Sequence, residues 1–146
     1  MAGWTDWMTE NANGSRQGPV ALPSGNSLVA IQVREQSGFG VVDARLGSIV
    51  NGQIEYSDWL CHNSNGFIRT AVVLQGIVDS IVGYEQPDFG IVELGLGHDD
   101  AMSIEWTTYN HQGMRKTIHF HLDAVKAMEC REQPGFGIVD IRFKLR

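Results

Sequence analysis

Carboxylates at Glu35, Glu85 and Glu132 are each followed by a glutamine (Gln36, Gln86, Gln133) and, three residues further on, by a phenylalanine (Phe39, Phe89, Phe136). A second set, Asn11 with Asn13, Asn63 with Asn65, and Asn110 with Gln112, runs in step with the first. Side-chain amides carry paired donors and acceptors, a carboxylate accepts several hydrogen bonds, and an aromatic face packs on the apolar side of a sugar-like ring. Such groups suit a neutral, hydroxyl-rich ligand. Each also has a structural reading. The glutamates, placed by alternation at the rim of the core, could accept N–H groups from their own hairpins or from the tryptophan of their repeat. Asparagine before glycine is what a turn requires, and the phenylalanines could plug the end of the domain.

Other chemistries find little support. His119 and His121 share a strand face, with His98 or His111 nearby, but they have no counterparts elsewhere and no ligand spacing, so neither a metal nor a cofactor is expected. No nucleophile motif, P-loop or dinucleotide fingerprint occurs. Catalysis gathers different roles in one asymmetric place, whereas repetition of one modest site raises avidity, so an enzyme is not expected. Cys61 and Cys130 fall at non-equivalent positions, too few for a disulfide framework and too far apart for a metal motif. They read as buried apolar residues, with a single bridge or a reactive thiol as alternatives.

These residues lie on a triplicated frame. REQSGFGVVDARL at residues 34–46 returns as YEQPDFGIVELGL at 84–96 and REQPGFGIVDIRF at 131–143, while Trp7, Trp59 and Trp106 lead the asparagine set. The period of 47 to 52 residues divides the chain into repeats 1–50, 51–97 and 98–146 of a single domain. Alternation and turn residues predict an all-β chain of about twelve short strands, near residues 4–8, 17–22, 27–35, 39–46, 55–61, 67–75, 78–85, 89–96, 102–108, 115–122, 124–132 and 136–145. Turns are expected at 10–14 and 36–38, and a loop at 23–26.

On the fourth strands, Val42, Ala44 and Leu46, then Val92, Leu94 and Leu96, then Val139, Ile141 and Phe143 form an apolar set expected in the core. The opposite face carries Asp43 and Arg45, Glu93 and Gly95, Asp140 and Arg142. Arg34 and Arg45 recur as Arg131 and Arg142, yet repeat two has Tyr84 and Gly95; they change together, as cross-strand neighbours flanking an acid would. The three tryptophans are expected as core layers. Tryptophan-to-glycine and glutamate-to-later-acid spacings are constant, whereas the intervals between the two signatures vary. With four successive antiparallel strands per repeat, both repeated turns fall at one pole and all length differences at the other.

The chain has 146 residues, enough to bury roughly 70% of its unfolded surface, with 17 glycines and four prolines. A net charge of −6 offers no broad positive field for nucleic acid or an anionic membrane. No apolar run approaches 18 residues and the start lacks the pattern of a signal peptide, so no membrane insertion is expected.

The unit of an initial tryptophan strand, P-x-G before an alternating strand, a polar R-E-Q segment, a glycine-aromatic-glycine hairpin and a closing strand resembles the repeat of the vitelline membrane outer layer protein family, most clearly over LPSGNSLVAIQVREQSGFGVVDARL. Dermatopontin-like lectins share the rhythm more weakly. The resemblance implies a β-prism, three four-stranded sheets about a pseudo-threefold axis, in an extracellular, carbohydrate-associated protein without a settled catalytic site. A β-trefoil is the alternative, ranked lower because its Q-x-W pattern is absent. The expected function is a lectin with up to three similar sites for glycans or glycoproteins, and oligomerisation would add avidity. The alternative is a structural coat, adhesion or toxin-associated subunit.

Overall fold

In the computed structural model, which describes residues 3–23, 27–99, 102–120 and 125–146, the described chain forms eleven strands and no α-helix. They are β1 (Ser15–Ala21), β2 (Leu28–Gln36), β3 (Gly40–Val50), β4 (Gln53–Tyr56), β5 (Phe67–Val72), β6 (Val78–Gln86), β7 (Gly90–His98), β8 (Ser103–Trp106), β9 (Met114–His119), β10 (Val125–Gln133) and β11 (Gly137–Leu145). The expected loop residues 24–26, His121 and the expected strand ends at 121–122 and 124 lie outside the described residues. The segment 4–8 is not a strand: it supplies an isolated bridge from Trp4 to Lys144 and single N–H bonds from Thr5 and Met8 to the carbonyls of Phe143 and Ile141.

Three antiparallel sheets result, ordered β4-β3-β2-β5, β8-β7-β6-β9 and β1-β10-β11. Their innermost strands β3, β7 and β11 pack on one another. This is a β-prism, and three separate sheets rule out the β-trefoil.

A sheet is not a repeat, however. Strands β2 and β3 close the first repeat, while β4 and β5 on either side of them open the second. The spatial order is that of a Greek key, not a meander of four successive strands. The chain ends meet in the same way, since β1 pairs with β10 and Trp4 with β11. Each repeat is thereby built into the next, and the first into the third.

The apolar set expected on the fourth strands is buried throughout, from Val42 to Phe143. Ala44, Leu46, Leu94, Leu96, Ile141 and Phe143 fill the space between the sheets with Ile31, Ile81 and Met128 from the hairpin partners. A bulge in each hairpin shifts the alternation, so that Val41, Ile91 and Ile138 join this core and Val42, Val92 and Val139 pack instead against the hairpin glycines Gly137, Gly40 and Gly90.

Both repeated turns lie at one pole. The hairpins close through N–H bonds from Phe39, Phe89 and Phe136 to the carbonyls of Gln36, Gln86 and Gln133. The glycines ending the asparagine turns abut those same hairpins, Gly14 against Glu132, Gly66 against Glu35 and Gly113 against Glu85. At Gly113, φ is +92° and an added Cβ would stand 2.1 Å from the Glu85 carbonyl oxygen. Gly38 has φ +83° with open space around it. Gly38→Ala should therefore cost only left-handed backbone strain, about 1–2 kcal/mol, and Gly113→Ala clearly more, since backbone must also shift. Urea unfolding of the two variants measures the difference.

Candidate functional site

The asparagine turns are fastened by buried carboxylates. Asp43 accepts N–H groups from Ala44 (2.9 Å), Cys61 (2.8 Å) and Asn63 (2.8 Å). Asp140 accepts those of Ile141 (2.9 Å), Thr9 (2.7 Å) and Asn11 (2.9 Å). Glu93, one methylene longer, accepts from the Thr107 hydroxyl (3.3 Å), the Thr108 N–H (2.7 Å) and the Asn110 N–H, with His111 Nε2 3.9 Å away. All three acids are at most 1% exposed.

Alternation places these acids on the face opposite the apolar set but does not show that the face is covered. They do point away from the core, but the next repeat's loop crosses the sheet directly over them. The loop residues just before the asparagines, Glu10, His62 and Tyr109, take φ of 59°, 56° and 60°, a left-handed bend that L side chains adopt at a cost. Each asparagine then accepts the N–H two residues on, Asn11 from Asn13 (3.0 Å), Asn63 from Asn65 (3.0 Å) and Asn110 from Gln112 (3.2 Å).

The tryptophans are not core layers either. They are half-buried on the outer faces, while their successors Met8, Leu60 and Thr107 turn inward. Arg34 and Arg45 lie 5.1 and 4.4 Å from the Trp59 ring, and Arg131 and Arg142 lie 5.1 and 4.5 Å from that of Trp7. In the third case Tyr84 lies 5.4 Å from the Trp106 ring, and a Cβ at Gly95 would meet that ring at 2.8 Å. The pairs change together because both members touch one tryptophan; the flanked group is an indole, not an acid.

The expected site residues gather in clefts that mix the repeats. One, of about 220 Å³, is lined by Asn11 and Asn13, by Glu85, Gln86 and Phe89, and by Gln133 and Phe136. A second, of about 180 Å³, is lined by Phe39, Gln86, Phe89, Asn110 and Gln112. Each holds the asparagine turn of one repeat and the hairpins of the other two. The remaining members, Glu35, Gln36, Asn63, Asn65 and Glu132, stand at the same pole, Glu35 and Gln36 against Gly66 and Glu132 against Gly14. Residues 36, 39, 86, 89, 133 and 136 are half-buried.

The corner glutamates do not fasten their own hairpins. Glu35 Oε1 accepts from Arg69 Nε at 3.3 Å. Glu132 accepts from the Cys61 thiol, and burial followed by the nearby Asp43 charge pushes its carboxyl up from the usual range in spite of that bond. Burial likewise raises Glu85, with Lys116 opposing and Asp140 adding. Burial also raises Asp140, against the hydrogen bonds that it accepts from Thr9, Ile141 and Asn11.

A hollow of about 570 Å³ on the outer face of the β1-β10-β11 sheet, lined by Trp4, Asp6, Trp7, Glu10, Arg131 and Arg142, was not foreseen. A strand over residues 4–8 would put Trp4 and Trp7 on opposite faces, and the expectation of Trp7 as a core layer hid the hollow that the two line together. No group of His, Cys, Asp and Glu suited to a metal occurs among the described residues.

No protein-family model and no curated protein matches this sequence. Solved structures match over essentially the whole fold. Frutalin from Artocarpus incisa has a TM-score of 0.67 at 6% identity, covering 100% of this chain and 96% of that one. The mannose-binding jacalin-related lectin of Ananas comosus gives 0.64 at 13% identity over 99% and 96%. Artocarpin complexed with methyl-α-mannose gives 0.64 at 10% identity over 97% of each chain. The match supports the β-prism part of the sequence resemblance, not its vitelline membrane or dermatopontin part.

Removing Asp43 as alanine leaves three N–H groups without their acceptor, and at about 1–3 kcal/mol for each buried orphan the loss should be at least about 3 kcal/mol by urea unfolding. The raised Glu85 and Glu132 carboxyls add a pH effect. A folded-state value above the unfolded one contributes stability that is full below the ordinary 4.5 and is lost as pH rises through the raised value. E85Q/E132Q should therefore gain in thermal midpoint relative to the parent on going from acidic to neutral pH. An offset independent of pH would contradict this.

Proposed function

We propose that this protein is a non-catalytic carbohydrate-binding module whose sugar sites are the clefts at the hairpin pole. The observation that carries the reading is the convergence of side chains from all three repeats, amides of Asn13, Gln86 and Gln133 with rings of Phe89 and Phe136, into one small polar cleft, and of a matching set into a second. The same rotation applied to Asn63, Asn65, Gln36, Phe39, Gln133 and Phe136 would complete a third. Clefts near 200 Å³ are small beside drug-sized pockets and suit a single sugar ring held weakly, for which multiplicity compensates. An amide pair can hydrogen-bond adjacent hydroxyls while a phenylalanine covers the ring's apolar face.

The fold relatives favour the same class. Artocarpin is complexed with methyl-α-mannose and with mannotriose, and the Ananas comosus lectin is named as mannose-binding. An α-mannoside is accordingly the first ligand to test. The buried acids offer no catalytic alternative, because Asp43, Asp140 and Glu93 spend their oxygens on the turns. Self-association would raise avidity further.

Phe89 and Gln86 line both described clefts, whereas Asn13 lines one. On a glycan array followed by calorimetry, Phe89→Ala should weaken binding by roughly tenfold at two sites, the loss of about 1–1.5 kcal/mol of ring stacking, with little change in thermal midpoint. Asn13→Ala should affect one site. An array silent across all glycans would refute the proposal and leave the structural coat, adhesion or toxin-associated subunit standing.

A further inference from the structure

Cys61 and Cys130 are 69 residues apart in sequence, yet their Sγ atoms lie 3.7 Å apart and both are free thiols. Cys61 sits on the asparagine turn of the second repeat, its N–H held by Asp43. Cys130 is fully buried in the middle of β10, paired with Gln17 on one side and Ile141 on the other. Both backbones are thus held in place, and the sulfurs have to close from 3.7 Å to the roughly 2.05 Å of an S–S bond.

The internal repeats mark the pair as local. Positions equivalent to Cys61 hold Thr9 and Thr108, whose hydroxyls donate to the carbonyls of Val139 (2.7 Å) and Val92 (3.2 Å). Positions equivalent to Cys130 hold Val33 and Gly83. Two residues at different places in the repeat are therefore both cysteine at one corner, where their sulfurs meet.

We propose that Cys61 and Cys130 are a thiol–disulfide site, whose oxidation ties the Asn63 turn to β10 across two sheets. The reaction is exchange with a small disulfide such as oxidised glutathione. Cys61, the partly exposed thiol, loses its proton and attacks one sulfur, releasing the first small thiol. Cys130 then loses its proton and attacks the Cys61 sulfur of the mixed disulfide, forming the Cys61–Cys130 bond and releasing the second. The two protons end on the released thiols, and two protein thiols are oxidised as one disulfide is reduced. The hydrogen bond with Cys130, partial burial and the nearby Asp43 and Glu132 charges together hold the proton on Cys61, so the reaction is slow at neutral pH and quickens as pH rises.

The intact chain, incubated with oxidised glutathione at mildly alkaline pH, should lose about 2 Da and both alkylatable thiols, and its thermal midpoint should rise by roughly 10 °C, all reversed by dithiothreitol. Cys61→Thr installs the residue of the other two repeats, so it should fold and show none of these changes. Two thiols still alkylatable after denaturation, a mixed disulfide that never closes, covalent dimers, or a midpoint shift persisting in Cys61→Thr would each overturn the proposal. None of these readouts involves a sugar, so they stand or fall apart from the carbohydrate reading.

Discussion

At one pole of each prism face a carboxylate has exchanged water for peptide N–H groups, and the arrangement of the whole chain follows from that exchange. Burying an unpaired acid costs several kcal/mol, and so does burying the N–H groups of an irregular loop. Here each solves the other's problem. The acid belongs to the inner strand of one repeat, β3, β7 or β11, and the loop belongs to the next repeat. The bond therefore fastens repeat to repeat, and it positions the glycine from which β1, β5 or β9 sets out along its neighbour. Left-handed residues at Glu10, His62 and Tyr109, at about 1–2 kcal/mol each, are tolerated because they aim the following N–H at the acid.

The outer faces are finished by stacking. A tryptophan arriving with each loop is covered by two arginines in two cases and by tyrosine in the third, where glycine leaves room for the ring. Guanidinium planes suit this, being weakly hydrated and flat. The guanidinium groups of Arg45 and Arg142 lie over indole while Arg142 also donates to Glu129, so an outer face with few apolar side chains still packs.

Because every cleft takes one asparagine turn and two hairpins, no repeat could form one alone. The two clefts described therefore exist only once the ring has closed through β1, β10 and β11. The three corners then differ in detail, with Phe67 and Arg69 beside Glu35, Met114 and Lys116 beside Glu85, and Ser15 beside Glu132. The same prism is shared with the three solved structures described at an identity of only 6–13%.

Much of this was legible in the residues themselves. Period, strand content, the apolar rows from Val42 to Phe143, and the sharing of one pole by both turns follow from spacing and from alternation, which are local properties of the backbone. The constant interval from glutamate to a later acid was visible too, but its meaning was not: alternation places Asp43 on an outer face and cannot show that another segment lies across it. For the same reason alternation and spacing point the three repeated tryptophans at the core, equate the sheets with the repeats, and give no sign of the hollow beside Trp4. Which repeat's loop covers which repeat's strand is a contact between distant parts of the chain, set by how three sheets close around one core. That contact, and with it the company of Cys61 and Cys130, belongs to the tertiary structure alone.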